Sequence, residues 1–228
     1  MKKFIKAGLL SGLMFLMVGS AWALPIDIDD TVKMSVGGKA MYTMTKYDGP
    51  GVWISYDSFC LESSITFTPD VEYEVDSVED YATSGGNNLT PDLLGPSPHD
   101  TVSVQTKWLF ASYLSGDFGF GYGAKNKVQN AIWWLEDETT NPLYPVSIND
   151  WTPFSYEFEV LSISGGLTTF LADWDIQAVN LTDASGTADI QSQLVGSKYN
   201  PVPEPATMVL FGIGLLGIAG MGRKRTNK

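Results

Sequence analysis

Each end of the chain carries an apolar run bordered by basic residues, and together they leave one stretch in which a domain can fold. At the start, Lys2, Lys3 and Lys6 precede an apolar segment from Ala7 to Val18, and Ala21-Trp22-Ala23 follows as a small-x-small site. That order predicts a signal peptide over residues 1–23, cut by signal peptidase after Ala23. The apolar run is short for a bilayer span, which argues against a plain anchor. At the far end, Thr207–Gly222 is uncharged and mostly apolar, a little shorter than the roughly 20 residues that a spanning helix prefers. Arg223, Lys224 and Arg225 then stop transfer and keep the extreme C-terminus in the cytoplasm. Pro203-Glu204-Pro205 stands before this predicted transmembrane helix as a stiff, extended peptide.

Val202-Pro203-Glu204-Pro205, the apolar helix and the basic Arg223-Lys224-Arg225 tail together resemble the PEP-CTERM sorting signal of Gram-negative bacteria. The resemblance implies an exosortase as processing partner, with the chain exported through the inner membrane and transiently membrane-anchored. It further implies release to the cell surface or an extracellular polysaccharide matrix, the setting of biofilms. Residues 200–228 are accordingly read as linker, membrane helix and basic tail, and residues 24–199 as the extracellular domain.

About 175 residues remain for that domain, enough for one well-cored unit and too few for two. Seven of the fourteen basic residues lie in the two ends, while all twenty-six acidic residues lie in the body and its linker. Seven against twenty-six leaves a net charge near −19 and no arginine, a surface that repels nucleic acid and anionic lipid. Such a surface attracts cations or a lysine-rich partner, although solubility outside the cell accounts for acidity as well.

Several segments alternate with strand period: Val32, Met34 and Val36; Tyr42 and Met44; Trp174, Ile176 and Ala178. A strand is expected around Cys60, a hairpin arm through Phe67 to Val75, and a turn at Ala184-Ser185-Gly186 before an arm returning to Val195. Between them Val104, Trp108, Ala111 and Leu114 recur with helical spacing up to Gly116, a C-cap. Val128, Ala131, Ile132 and Leu135 mark a second helix. The stretch Thr152–Gly166 fits helix or strand equally, and residues 83–100 read as a surface loop. The expected fold is α+β: one domain with a β-sheet, sandwich or barrel core and an inserted helical subdomain.

Cys60 is the only cysteine in a chain predicted to be exported. By composition it is a buried small hydrophobe, a reactive thiol or half of an intermolecular disulfide, with Gln129 a core amide. Phe59-Cys60 on an early strand, with Val128-Gln129-Asn130-Ala131-Ile132-Trp133 opening a helix, resembles the paired signature of bacterial thioester domains. That resemblance implies an internal thioester between the Cys60 sulfur and the Gln129 side-chain carbonyl, shielded by Phe59, Trp133 and Trp134. A thiolate can displace ammonia from a primary amide when a fold holds the two in contact. A partner amine or hydroxyl would then take the acyl group, making the protein a single-use covalent adhesin and not an enzyme. The alternative is a non-covalent structural or carbohydrate-associated matrix protein with a free Cys60.

Other chemistries have little support. His99 is the only histidine, and its Pro-rich setting makes a Cys60–His99 protease dyad a poor fit. Metal binding through imidazole or thiolate fails by count, leaving oxygen ligands for an ion such as Ca²⁺. Asp27-Ile28-Asp29-Asp30 and Glu136-Asp137-Glu138 lack calcium-loop spacing and read as a solvated start and a solvated helix end. Gly119–Gly123 lacks the Lys-Ser/Thr pair of a phosphate loop. No metal or cofactor is expected.

Overall fold

The computed structural model describes residues 26–83, 89–90, 99–116, 124–138, 143, 145–186 and 188–198. The chain divides between Lys198 and Tyr199, and the described residues all precede that point. Both predicted sorting segments, with Ala21, Ala23, Val202–Pro205 and Arg223–Arg225, lie outside the described residues. Among the described residues no helix is long and apolar enough to cross a membrane.

The strand-period segments fold as read. β1 (Thr31–Val36) buries Val32 and Met34, and β2 (Tyr42–Tyr47) buries Met44. β3 (Trp53–Cys60) is exposed where it starts and buried from Ser58 to Cys60. β4 runs over Glu72–Glu79, and the short strands β5 (Tyr81–Ala82), β6 (Leu89–Thr90) and β7 (His99–Thr101) follow. Four helices come next: α1 (Val104–Ser115), α2 (Lys125–Leu135), α3 (Ile148–Ser164) and α4 (Gly166–Leu171). The long strands β8 (Trp174–Thr182) and β9 (Asp189–Lys198) complete the order.

Six strands close an antiparallel barrel in the order β1-β2-β3-β9-β8-β4. β5, β7 and β6 form a separate three-stranded sheet. The α+β class and the barrel option therefore hold, and the helices form an insert between β7 and β8. Two apolar clusters share out the strands' faces. Val32, Met34, Met44, Val75, Val179 and Val195 pack together inside the barrel. On the opposite face Phe59, Ile176, Ala178 and Leu194 pack with Trp108, Phe110, Val128 and Ile132 of the helices. Successive strand residues point to opposite faces, so Ala178 and Val179, like Leu194 and Val195, serve different clusters. Each such large side chain contributes about 1.5–3 kcal/mol by leaving water.

α1 docks where β9 has no side chain. A Cβ on Gly196 would stand 2.9 Å from Ile176 Cγ1 and 3.1 Å from Phe110 Cε1, so glycine is required for this approach. The helix begins at Ser103, whose hydroxyl accepts from the Thr106 N–H, and ends on Gly116 in the left-handed region at φ 78°.

Two expectations of the fold need correction, and one open alternative is decided. Phe67 is not in a strand: the arm begins only at Glu72, and Phe67 sits in the preceding loop, its ring edge-on to Tyr42 at 5.0 Å. The stretch 83–100 is not wholly loop, because Leu89–Thr90 and His99–Thr101 pair as strands. Thr152–Gly166 is resolved as helix, mostly within α3. A capping box between Ser147 and Asp150 starts α3, and Gly165 at φ 73° ends it.

Candidate functional site

β2 pairs with β3 only as far as Tyr42 opposite Ser58, which leaves the backbone of Cys60 beyond the end of that ladder. Gln129, buried on α2, completes it with its side chain. The Cys60 N–H donates to Gln129 Oε1 at 2.9 Å, and Gln129 Nε2 donates to the Cys60 carbonyl at 2.8 Å. The two residues singled out from sequence, 69 positions apart, are thus in direct contact. The carboxamide acts as one more rung of the sheet, and its carbonyl is polarised by a backbone N–H.

The Cys60 side chain points toward β9. Its thiol donates to Gln191 Oε1 at 2.8 Å, and Gln193 Nε2 donates to the sulfur at 3.3 Å. Tyr42 also hydrogen-bonds the thiol. A β-bulge places these groups: Val179 faces Gln193 and Leu181 faces Ile190, so Asn180 stands opposite both Gln191 and Ser192. Asn180 fixes the bulge with four hydrogen bonds, accepting from Thr83 N–H and Ser192 Oγ and donating to Ser77 Oγ and the Tyr81 carbonyl. Complete burial pushes the Cys60 thiol above the usual range. Glu62 adds to the rise, while the hydrogen bonds from Gln193 and Tyr42 work against it.

Carboxyl groups gather beside this thiol. Glu62 is wholly buried; its Oε2 accepts from the Ser192 N–H at 2.7 Å, and Oε1 has no hydrogen-bond partner. Burial raises it to about 8, against the Ser192 hydrogen bonds and with help from Glu138. Glu138 takes both the Ser63 N–H and its hydroxyl on Oε2 at 2.9 Å. Glu136 accepts the Ser103 hydroxyl at 2.8 Å, and burial raises it too. Asp100 is raised to about 7 by burial and then by Glu136, Glu138 and Asp137. Glu136 and Glu138 are therefore not the solvated helix end expected of them. The chain folds back after α2, with the Glu138 N–H donating to the Trp133 carbonyl at 2.7 Å, and carries both acids inside. Among the described residues no group of three acidic, His or Cys side chains is arranged to hold a metal ion.

A cleft of about 180 Å³ opens beside the thiol. Tyr42, Ser63, Thr66, Phe67, Trp133 and Gln191 line it, so Tyr42 and Gln191 touch both the cleft and the Cys60 sulfur. Of the aromatic residues expected to shield Cys60, Trp133 lies in this wall. Phe59 sits on the other face of β3, edge-on to Phe110 and Tyr113 at 5.9 and 5.1 Å. Trp134 is half-buried and packs against the helical core. Tyr42 was read only as a strand position and Glu138 as part of a solvated helix end, and Glu62, Gln191 and Gln193 were not singled out from sequence. The one available signal was the polar pair Gln191 and Gln193 at alternate positions of β9, just before its apolar Leu194 and Val195.

The C-terminal residues 201–225 match the PEP-CTERM protein-sorting motif, which supports export, transient membrane anchoring, processing by an exosortase and a surface or extracellular destination. The match covers the sorting end and not the barrel. No curated protein and no solved structure matches the chain.

Proposed function

We propose that this exported, exosortase-processed protein is a covalent adhesin whose Cys60 and Gln129 form an internal thioester. The observation that supports this reading is the Gln129 carboxamide, held in two hydrogen bonds on the backbone of the residue that carries the thiol. The Cys60 sulfur adds to the Gln129 side-chain carbonyl while the Cys60 N–H steadies the developing oxyanion. The carbon–nitrogen bond breaks, ammonia leaves, and a sulfur–carbon bond remains. A partner amine or hydroxyl arriving through the cleft beside Trp133 attacks the acyl carbon, and the thiol is released. The bond is used once, so this is attachment and not turnover. Residues 1–23 act as the signal peptide, 24–199 as the extracellular domain, and 200–228 as the sorting signal.

The test is the intact mass of the purified protein. Loss of one ammonia relative to sequence, absent in Cys60→Ala and Gln129→Ala, supports the thioester; methylamine should then add at Gln129. A full mass with a free thiol overturns it. One observation favours the alternative in that case: the Gln129 amide already completes a β-ladder, the work of a structural core residue. The protein would then be a non-covalent, carbohydrate-associated matrix component.

A further inference from the structure

Cys60 and Glu62 lie two residues apart and reach adjacent residues of β9. The thiol contacts Gln191 and Gln193, and the Glu62 carboxylate takes the N–H of Ser192 between them. Gln191 ties the two together: its Oε1 receives the thiol hydrogen, and its Nε2 donates to the Glu62 carbonyl. Glu62 is wholly buried, and among the described residues no lysine or arginine pairs with it. One of its oxygens, Oε1, is left without a hydrogen bond. A buried carboxyl with a spare oxygen and no cation beside it keeps its proton until the pH rises, and its free oxygen is open to proton exchange.

We propose that Glu62 is the proton acceptor of Cys60, a positioning and proton-transfer residue without which the buried thiol cannot act as a nucleophile. This rests on the thioester reading for its role in bond formation. As the sulfur–carbon bond forms, the thiol proton passes to Glu62 Oε1. As the carbon–nitrogen bond of Gln129 breaks, Glu62 gives that proton to the departing nitrogen, which leaves as ammonia. The carboxylate is regenerated and no outside reagent is consumed. Burial that makes the thiolate inaccessible to bulk base is the reason an internal base is needed. The groups facing Glu62 are few. Glu138 approaches from the segment after α2, Cys60 from β3 with Tyr42 behind it, and β9 offers only the uncharged Gln191, Ser192 and Gln193. Because burial raises it to about 8, Glu62 is mostly protonated at neutral pH and becomes a proton acceptor as the pH rises toward 8.

Glu62→Gln keeps the shape and can still accept the Ser192 N–H, while Glu62→Asp keeps the base. In the full-length protein, methylamine uptake at Gln129 should fall roughly 100-fold in Glu62→Gln. It should recover partly in Glu62→Asp, with all three proteins fully folded at the assay temperature and pH. A second measurement uses Gln129→Ala, which cannot form the thioester. There, the rate of Cys60 alkylation by iodoacetamide should rise through pH of about 8, and Glu62→Gln should abolish that rise. Equal alkylation profiles with and without Glu62→Gln overturn the proposal. If wild-type protein shows no loss of ammonia yet alkylation follows Glu62, the thioester reading fails and the proton-acceptor role stands. If ammonia is lost and Glu62→Gln reacts as wild type does, the reverse holds.

Discussion

Ser63 and Glu138 stand 75 residues apart in the chain, yet a single carboxylate oxygen of Glu138 receives both the Ser63 N–H and the Ser63 hydroxyl at 2.9 Å. The segment leaving β3 is thereby tied to the segment leaving α2, a few residues from the Cys60–Gln129 contact. Removing the carboxylate should leave two buried donors without an acceptor. Glu138→Ala is expected to cost about 2–4 kcal/mol in urea unfolding, and Glu138→Gln, which keeps an acceptor, clearly less.

The Gln129 carboxamide satisfies both backbone groups of Cys60. Gln129→Ala should therefore destabilise the domain by about 2–4 kcal/mol, over and above any loss of reactivity. Cys60→Ala, which removes a buried thiol and leaves those backbone groups paired, should cost nearer 1 kcal/mol. Comparing the two by chemical denaturation separates the structural work of the amide from its proposed chemistry.

Stability should fall as pH rises. Glu62 at about 8 and Asp100 at about 7 hold their protons in the folded state well above the pH at which free carboxyls release them. Between roughly pH 4 and 8 the folded form binds more protons than the unfolded form, so the unfolding free energy declines with pH across that window. The stabilising effect is full below the ordinary carboxyl range and is lost by about pH 8. Melting temperatures taken from pH 5 to 9 should decline, and Glu62→Gln should flatten the upper part of the curve. A rise over this range would refute the assignment.

An aromatic hub ties α1 to α3 within the helical insert. Trp108 is fully buried on α1 and meets Trp151 and Phe158 of α3 edge-on at 6.0 and 5.5 Å. Trp108→Ala should cost about 3–5 kcal/mol. Gly196→Ala should also destabilise, because its new Cβ forces α1 away from β9. Both changes should show in near-ultraviolet circular dichroism.

Much of the barrel was legible because its inward residues recur at every second position, as Val32 and Met34 do. α1 and α2 were legible because periodicity and Gly116 agree. α3 was not, because much of its apolar surface does not mark a buried face: Tyr156, Val160 and Ile163 are exposed. The arm placed at Phe67 failed because that ring plugs against Tyr42 from a loop. The Cys60–Gln129 contact was reached through resemblance, whereas Glu62 and Gln191 went unread and Glu138 was taken for solvated, for one physical reason. Acidic and amide residues usually lie in water, and only the bulge at Asn180 and the turn after α2 carry these inside.

The barrel does not close with equal strength all round. β3 and β9 share two paired positions, Phe59 with Leu194 and Cys60 with Gln193, whereas β8 and β9 share eight. The thinnest seam of the wall therefore runs past the only thiol. Its backbone ladder is short, and the side chains of Ser58, Cys60 and Glu62 add to the closure by reaching Gln193, Gln191 and Ser192. How long Cys60 stays hidden should therefore depend on those side-chain bonds at least as much as on the overall melting temperature.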